Sequence, residues 1–315
     1  MRLHNDINQL PAFNKAVITI GTFDGVHRGH QQIIAQLKAE AQAIGGETVI
    51  ITFHPHPRLV ITGQTRPLYL LNTLAEKEQL LRSHGIDHLV VVPFTEAFAA
   101  LSPEAYIQSF LVEKFHPHTI IIGYDHKFGH NRAGDYQMLE ADAPRYGFTV
   151  KEIPPHVLRH VTISSTNVRE ALLQGDCATA TELLGYPYFF SGLVIKGNQL
   201  GRTIGYPTAN LQMNEPHKLI LGNGVYAVSA WVAGEDMPTV YGGMMNIGTR
   251  PTVDGTQRMV EVNLFDFDAT IYEATLTVVV KKRLRSEVKF NGLEALKAQL
   301  ALDKEAALAL LQNID

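Results

Sequence analysis

The sequence contains a single cysteine, Cys177, among 315 residues. One thiol cannot form an internal disulfide, which excludes the cross-linked framework of many small secreted domains. No apolar run approaches the ~18 residues that a membrane-spanning helix needs. The first residues, MRLHNDINQLPAF, have neither the basic end nor the apolar core of a signal peptide. These absences favour a cytoplasmic protein with no membrane partner.

Concentrated charge of one sign is also missing. The net charge is -4, and the chain contains no block of about five like charges. Binding to duplex nucleic acid depends on a dense basic surface, so we expect no nucleic-acid partner. We expect small-molecule partners instead. A homo-oligomer is possible, but no sequence feature supports one.

The first half of the chain alternates short apolar strands with helical patterns, which is typical of a parallel sheet covered on both faces. This half is therefore predicted to be an α/β doubly wound domain. The predicted strands are AVITIGTF, TVIITF, HLVVVPF, TIIIG and TVKEIP, and helices are predicted from about residue 31 and over about 74–83, 102–115, 136–146 and 165–184.

After LLGYPYFFSG the pattern changes to strands separated by turn residues, which predicts a small antiparallel β-barrel. A last helix, about 293–311, carries apolar residues at helical spacing and is expected to pack on that barrel. The fold class is α/β plus β, with domains 1–185 and 186–315. The predicted barrel strands are SGLVIKG, NGVYAVSAWVAG, TVYGGMMNIG, MVEVNLFDF and ATLTVVVKKRLR.

The segment VITIGTFDGVHRGHQQIIAQL passes from a strand through a glycine-bearing turn into a helix. The first turn of a helix directs unpaired N–H groups at the positive end of its dipole, which suits an anion. Gly25 and Gly29 allow a ligand to approach the backbone, while His27 and His30 share a face if the helix has begun there. The pattern predicts a phosphate site.

Two other interpretations of this segment remain open. It is also compatible with a tight turn that carries two surface histidines. A zinc pair is a further possibility, although zinc sites usually have a third ligand with its own spacing. The chain contains no Gly-Lys-Ser/Thr, so the P-loop form of phosphate binding is excluded.

The segment KGNQLGRTIGYPTANL again combines glycines with polar residues, here between two predicted strands. Gly197, Gly201 and Gly205 would let the backbone wrap phosphates. The side-chain oxygens of Thr208 and Asn210 are suitable ligands for magnesium. Taken alone, the pattern also fits an ordinary loop.

The motifs resemble those of one family. GTFDGVHRGH resembles the nucleotidyltransferase signature of a strand, a turn and H-x-G-H. TFHPHPR, IIIGYDHKFGHNRAGD and ISSTNVRE, followed by PTAN, NGVYAV and MNIGTRPTV, are similar to motifs of bacterial bifunctional riboflavin kinase and FMN adenylyltransferase, or FAD synthetase, in the same order. The resemblance covers nearly the whole chain. His54 stands where many relatives have glutamate, so its role stays open.

The resemblance implies a magnesium-dependent enzyme with two activities. The C-terminal barrel would phosphorylate riboflavin with ATP to give FMN. The N-terminal domain would then transfer the adenylyl group of ATP to FMN, giving FAD and pyrophosphate. The substrates implied are therefore ATP, riboflavin and FMN.

The resemblance also assigns residues to the adenylyltransferase. His27, His30 and Arg169 would act on the ATP phosphates. Ser164 or Ser165 is independently a plausible helix N-cap, although a mere cap beside a surface arginine is the alternative. The remaining residues expected to bind ATP are Thr22, Phe23, Asp24, Gly25, Gly29, Asp125, Ser164, Ser165 and Thr166.

Two further N-terminal assignments concern Asp125 and Arg132. Asp125 follows the strand TIIIG, at the sheet edge where open α/β sheets bind ligands, and is expected to contact adenosine or ribose. Arg132 is a candidate contact on the flavin or phosphate side.

For the kinase, a base must accept the proton of the riboflavin hydroxyl. Strand alternation in MVEVNLFDF puts Glu261 and Asn263 on one face, and Glu261 matches the family's catalytic glutamate. Asn210 would act with it. Without the resemblance, Glu261 could equally be a solvent-facing strand residue. The residues expected to bind ATP or flavin are Gly197, Gly201, Arg202, Gly205 and Thr208, with Thr208 and Asn210 as metal ligands.

Arg283 and Arg285 have two interpretations: a basic strand edge that discourages pairing, which is the commoner case, or an approach to the flavin phosphate. For the whole chain, phosphopantetheine and nicotinate mononucleotide adenylyltransferases share the H-x-G-H turn but would leave the barrel unexplained. A flavin-binding sensor without turnover is a competitor from another class. A metallohydrolase built from the fourteen histidines is a further one.

Overall fold

The computed structural model describes residues 1–61, 68–124, 126–153, 163–197, 199–234, 238–252 and 255–312, without the side chains of 250–252 and 255–257. The chain forms two compact units, Met1–Ser165 and Thr166–Asp315. Among the described residues, no helix is long and apolar enough to cross a membrane.

The first unit is built on a six-stranded sheet in which every neighbouring pair is parallel. Its strands are β1 Arg2–His4, β2 Val17–Ile20, β3 Thr48–His54, β4 His88–Pro93, β5 Thr119–Gly123 and β6 Thr149–Ile153. They are ordered β1-β4-β3-β2-β5-β6. The central strands are continuous runs of buried β-branched residues, as expected for a sheet covered on both faces.

Helices connect these strands. The stretch 103–115 is helical throughout but contains a π-helical segment, Tyr106–Val112. Thr73 caps the helix Leu74–Ser83 in a reciprocal capping box with Glu76, which accounts for its sharp start. The helices of the first unit are Arg28–Ile44, Pro57–Val60, Leu74–Ser83, Glu96–Ala99, 103–115, the short 3₁₀ helix His130–Arg132, and Tyr136–Tyr146.

The strand order reverses direction between β2 and β5. From β2 the chain proceeds outward through β3 and β4 on one side, and it returns to the other side of β2 with β5 and then β6. Open α/β sheets bind ligands in the crevice outside the carboxyl ends of the strands at such a switch point. The turn that follows β2 therefore lies where this fold class binds its ligands.

The second unit contains a closed antiparallel barrel. Its strands are β7 Phe189–Ile195, β8 Ala209–Gln212, β9 Gly224–Val232, β10 Tyr241–Thr252, β11 Gly255–Leu264 and β12 Thr275–Arg285. Around the barrel the order is β10-β11-β8-β7-β12-β9. Closure leaves none of these six strands with an unpaired edge.

Four further helices belong mainly to the second unit: Ser165–Gln174, Cys177–Leu184, Leu200–Thr203 and Leu293–Leu311. The last packs on the barrel through the fully buried Ala307 and through Leu300, Leu308 and Leu311, against a cluster that includes Met244. The C-terminal helix thus completes the core of the barrel unit.

The predicted fold class is confirmed, and the helices 74–83, 136–146 and 293–311 have the predicted bounds. Sequence analysis missed β1, which has only three residues, and β8, which lies inside the glycine-rich segment. The predicted helix 165–184 is two helices, because the chain turns at Gly175 with a positive φ of 74°. The domain boundary between residues 185 and 186 stays a prediction.

Candidate active sites

The turn after β2 has an unusual backbone. Phe23 and Val26 have left-handed φ angles of 47° and 36°, and Gly25 between them has 88°. This region is easy for glycine but costs a bulky or β-branched residue about 1–3 kcal/mol. Such a path persists only where surrounding contacts hold it.

Those contacts come from both sides of the turn. The carboxylate of Asp24, which is only 2% exposed, accepts the N–H groups of Leu71 at 2.9 Å and Asn72 at 3.3 Å. The hydroxyl of Ser165 donates to the Asp24 carbonyl oxygen at 2.9 Å. Asp24 and Ser165, both predicted to bind ATP, are therefore hydrogen-bonded to each other. The hydrogen bonds of Asp24 hold the turn in its left-handed conformation.

The carbonyl oxygen of Thr22 is held from a third direction. It accepts the ammonium group of Lys77 at 2.6 Å and the hydroxyl of Thr52 at 3.2 Å. Sequence analysis did not single out Lys77. Its position in an ordinary amphipathic helix gave no signal that its charged end would be buried.

The helix after the turn begins at Arg28, three residues earlier than predicted, and His27 is its N-cap. The ring of His27 accepts the N–H of His30 at 3.4 Å, and the two imidazoles stack with centroids 3.7 Å apart. Gly29 makes room for this arrangement, because a Cβ there would lie 3.3 Å from the His27 ring. The structure thus brings together the two histidines of the predicted phosphate site.

The electrostatics of this pair depend on burial. Burial lowers the pKa of His30 well below its ordinary value, and neighbouring His27 and Lys77 lower it further. The Nδ1 atom of His30 is buried without a hydrogen-bond partner among the described residues. A nearby anion would oppose this shift by favouring the charged imidazolium.

The remaining N-terminal candidates lie in three other segments of the chain. Ser164 precedes the helix Ser165–Gln174, so it occupies the predicted cap position, and Thr166 lies in the first turn. Arg169 is on the same helix, one turn after Ser165. Arg132 is exposed at the end of the 3₁₀ helix, with a φ of 57°. Asp125 lies outside the described residues.

The barrel unit contains a cavity of about 240 Å³. It brings together four of the predicted kinase residues, Gly201, Thr208, Asn210 and Glu261. Gly197, Arg202 and Gly205 are not in its lining. The cavity is lined by Gln199, Leu200, Gly201, Ile204, Tyr206, Thr208, Asn210, Val225, Met244, Met245, Asn246, Glu261, Asn263, Arg285, Glu287, Val288, Phe290, Leu296 and Leu300.

Strand pairing fixes the polar centre of this cavity. Glu261 in β11 lies opposite Asn210 of β8 on one side and Asn246 of β10 on the other. Asn263, two residues along the same strand, donates to the Pro207 carbonyl oxygen at 2.7 Å. The PTAN segment is thereby attached to the strand that carries the candidate base.

Gly197 has a steric role that differs from the predicted wrapping of phosphates. A Cβ at this position would overlap the side-chain amide of Asn210, lying 2.7 Å from its Oδ1 atom. Gly201 is similarly constrained, because a Cβ there would collide with the carbonyl oxygen of Tyr206. Both glycines permit close approach within the segment itself.

Arg285 is a cavity residue whose position the sequence left open. Its guanidinium binds both carboxylate oxygens of Asp303, at 2.7 to 3.1 Å, and Asp303 in the C-terminal helix is only 3% exposed. β12 pairs with β9 as far as Arg285 but with β7 only as far as Val279, so the strand-edge interpretation of Arg283 and Arg285 stays a prediction. Arg283 donates to the carbonyl oxygens of Gln174 and Asn223.

Asn246, Asn263 and Glu287 also line the cavity and were not among the predicted site residues. A sequence signal existed for the two asparagines. Asn246 interrupts the otherwise apolar MMNIG, and Asn263 follows Glu261 by two residues in VEVNLF; the barrel half-buries Asn246 and buries Asn263. Buried amides need partners, so an asparagine inside a strand indicates either a specific bond or a ligand.

Comparisons with known proteins cover both units. The family model FAD synthetase matches residues 10–167, and the family model Riboflavin kinase matches residues 184–311. A solved structure from Streptococcus pneumoniae, described as a macrolide-efflux protein, superposes with a TM-score of 0.85 at 29% identity. That match covers 100% of this chain and 99% of the other.

Full-length relatives carry the same pair of domains in one chain. The bifunctional riboflavin kinase/FMN adenylyltransferase of Bacillus subtilis is 39% identical over 304 residues, covering 95% of this chain and 94% of the relative. The protein of the same description from Escherichia coli K12 is 38% identical over 306 residues, covering 97% and 95%. The chain therefore belongs to the family of bifunctional riboflavin kinase/FMN adenylyltransferases.

Proposed function

We propose that this chain makes FMN from riboflavin and ATP in its barrel unit, and FAD from FMN and ATP in its sheet unit. The observation that carries the proposal is the agreement of both halves with one two-domain family over nearly the full length. We assign the adenylyltransferase to residues 1–185 and the kinase to residues 186–315. A cytoplasmic location fits the demand of both reactions for ATP.

In the kinase reaction the 5′-hydroxyl oxygen of riboflavin attacks the γ-phosphorus of ATP. A new O–P bond forms, the bond between the γ-phosphorus and its bridging oxygen breaks, and ADP leaves. We assign Glu261 as the base that accepts the hydroxyl proton, because a neutral alcohol attacks efficiently only as that proton departs. Its placement opposite Asn210 on the cavity wall supports this role.

Asn210 and Thr208 are suited to hold magnesium in this cavity. The Oδ1 atom of Asn210 is buried and has no hydrogen-bond partner in the described part of the chain. Carbonyl and hydroxyl oxygens are the hard ligands that this ion prefers. Magnesium bound there would neutralise charge on the ATP phosphates. Asn210, held against Gly197, would present its oxygen in one defined position.

The adenylylation needs no base, because the FMN phosphate is already an anion at neutral pH. One of its oxygens attacks the α-phosphorus of ATP, and the bond to pyrophosphate breaks. The protein must therefore supply position and charge stabilisation. We assign these tasks to the turn 22–26, the start of the helix Arg28–Ile44 and the paired imidazoles of His27 and His30, with Ser164 and Ser165 contributing to the phosphate site. The roles of Thr166 and Arg169 at the phosphates stay predictions.

A direct test is to incubate the purified protein with riboflavin, ATP and magnesium, and to separate the flavins by chromatography over time. We expect FMN to appear first and FAD to follow. FMN alone would contradict the assignment of FMN as the acceptor in the sheet unit. Bound flavin without ATP consumption would replace the proposal with a flavin sensor.

The substitution Glu261→Gln should lower FMN formation by about 10²- to 10⁴-fold, since it removes the proton acceptor. FAD formation from supplied FMN should be unchanged. The measurement is the initial rate of each reaction with the same preparation. Glu215→Gln, at an exposed position of the same unit, is the matched control. Equal kinase rates in both variants would eliminate Glu261 as the base.

The substitution His30→Ala should impair the adenylyltransferase and leave the kinase active. Loss of an imidazole from the phosphate site should lower FAD formation by about 10²- to 10³-fold, the range found when one donor to a transition-state charge is removed. Riboflavin phosphorylation should persist at the wild-type rate. His118→Ala, at an exposed position, serves as the control. A folded His30→Ala protein that had lost both activities would contradict the two-site assignment.

The substitution Gly197→Ala tests whether close packing positions Asn210. The added methyl group would displace the Asn210 amide, and a shift of about 1 Å in a positioned group can cost about 10²-fold in rate. We expect a lower kinase kcat and a higher magnesium requirement. Gly242→Ala, in β10 of the same barrel, is the control, because its Cβ would meet the flexible end of Leu311 at 2.9 Å and otherwise only the Phe265 ring at 3.6 Å. A normal magnesium dependence would contradict the proposed role of Gly197.

A further inference from the structure

Lys77 is a buried cation in the sheet unit. It lies in the helix Leu74–Ser83 and is only 7% exposed. Its ammonium nitrogen donates to the Thr22 carbonyl oxygen at 2.6 Å and lies 3.3 Å from the Thr52 hydroxyl oxygen. The bonded acceptors are therefore neutral oxygens of the turn and of β3.

This arrangement is costly for a residue that only fills space. Removing an ammonium group from water costs several kcal/mol unless charges or hydrogen bonds compensate. Burial lowers the pKa of Lys77 to about 8, although the carboxylate of Asp24 acts in the opposite direction. Methionine has a similar length and would fill the same volume without that cost. A buried cation of this kind is therefore a candidate for a functional role.

The position of the bond to Thr22 indicates what the role is. Thr22 immediately precedes Phe23, the first left-handed residue of the turn, so Lys77 anchors the point at which the strained path begins. Asp24 anchors the middle of the turn through Leu71 and Asn72. The contact from Lys77 brings a positive charge to the turn.

Among the described residues, Asp24, His30 and Thr52 interact with the ammonium from three surrounding elements. Asp24 approaches from the turn and raises the pKa of Lys77. His30 approaches from the helix Arg28–Ile44, and its own pKa is lowered by Lys77. Thr52 approaches from β3. The ammonium thus bonds to the strained turn and interacts electrostatically with one of the two histidines assigned to phosphate.

We propose that Lys77 is a positioning residue for adenylyl transfer, holding the turn 22–26 through the Thr22 carbonyl so that the phosphates of ATP meet the helix start and His30 in one geometry. This inference rests on the proposed function of the sheet unit. Lys77 acts through the turn, and its charge adds to the attraction of the site for a polyphosphate.

The test compares Lys77→Met, which removes the donor, with Lys77→Gln, which keeps a donor but removes the charge. Lys38→Met is the matched control, since Lys38 also donates to a main-chain carbonyl, at 2.7 Å, but at an exposed site. We expect Lys77→Met to lower the kcat of FMN adenylylation by about 10- to 100-fold. Lys77→Gln should lose less, and riboflavin phosphorylation should be unchanged in all three variants.

The pH profile of the wild-type protein provides a readout that simple packing would not affect. Lys77 is protonated below its pKa of about 8 and loses its charge as the pH rises through that value. The kcat/KM for adenylylation should therefore fall above about pH 8. In Lys77→Gln this decline should be absent, because no ammonium is left to titrate.

Hydrogen exchange of the turn amides 22–26 separates this inference from the proposed function. Faster exchange in Lys77→Met than in Lys38→Met is expected, and it can be measured even if the protein makes no FAD. Wild-type exchange in Lys77→Met would overturn the positioning role. Faster exchange with unchanged adenylylation, or a decline above pH 8 that persists in Lys77→Gln, would overturn its connection to the reaction.

Discussion

The sheet unit depends on one constraint, the left-handed path by which the chain leaves β2 and enters the helix Arg28–Ile44. Without that path the helix start and its two histidines would not lie at the switch point between β2 and β5. The path is unfavourable for Phe23 and Val26 on its own. Polar groups from β3, from the segment 71–77 and from Ser165 hold it by hydrogen bonds.

The barrel unit positions its polar side chains by strand pairing. Here closure of the sheet, and not a strained turn, determines which side chains meet. The pairing of β11 with β8 and β10 puts a glutamate between two asparagines, and a glycine leaves space for one of the amides. An exact register can do this because a shift by one residue would turn every side chain to the opposite face of the sheet.

Sequence patterns were sufficient for the type of most elements and for the two architectures, because buried strands and amphipathic helices carry strong periodic signals. They were insufficient where the decisive contact joins distant residues. Lys77 bonds to Thr22, and Asp303 bonds to Arg285. Lysine and aspartate usually lie at the surface, and only the packing of the folded chain buries these two. The role of Gly197 was also missed, since the Asn210 amide beside it is placed by the pairing of β7 with β8.

The ion pair between Arg285 and Asp303 connects the helix Leu293–Leu311 to the cavity of the barrel unit. Leu296 and Leu300 of that helix form the cavity wall, and Asp303 fixes an arginine that also lines it. The cavity is therefore complete only after the helix Leu293–Leu311 has been added. During synthesis the barrel strands emerge first, so a ribosome-bound barrel would lack one wall of this cavity until that helix has been made.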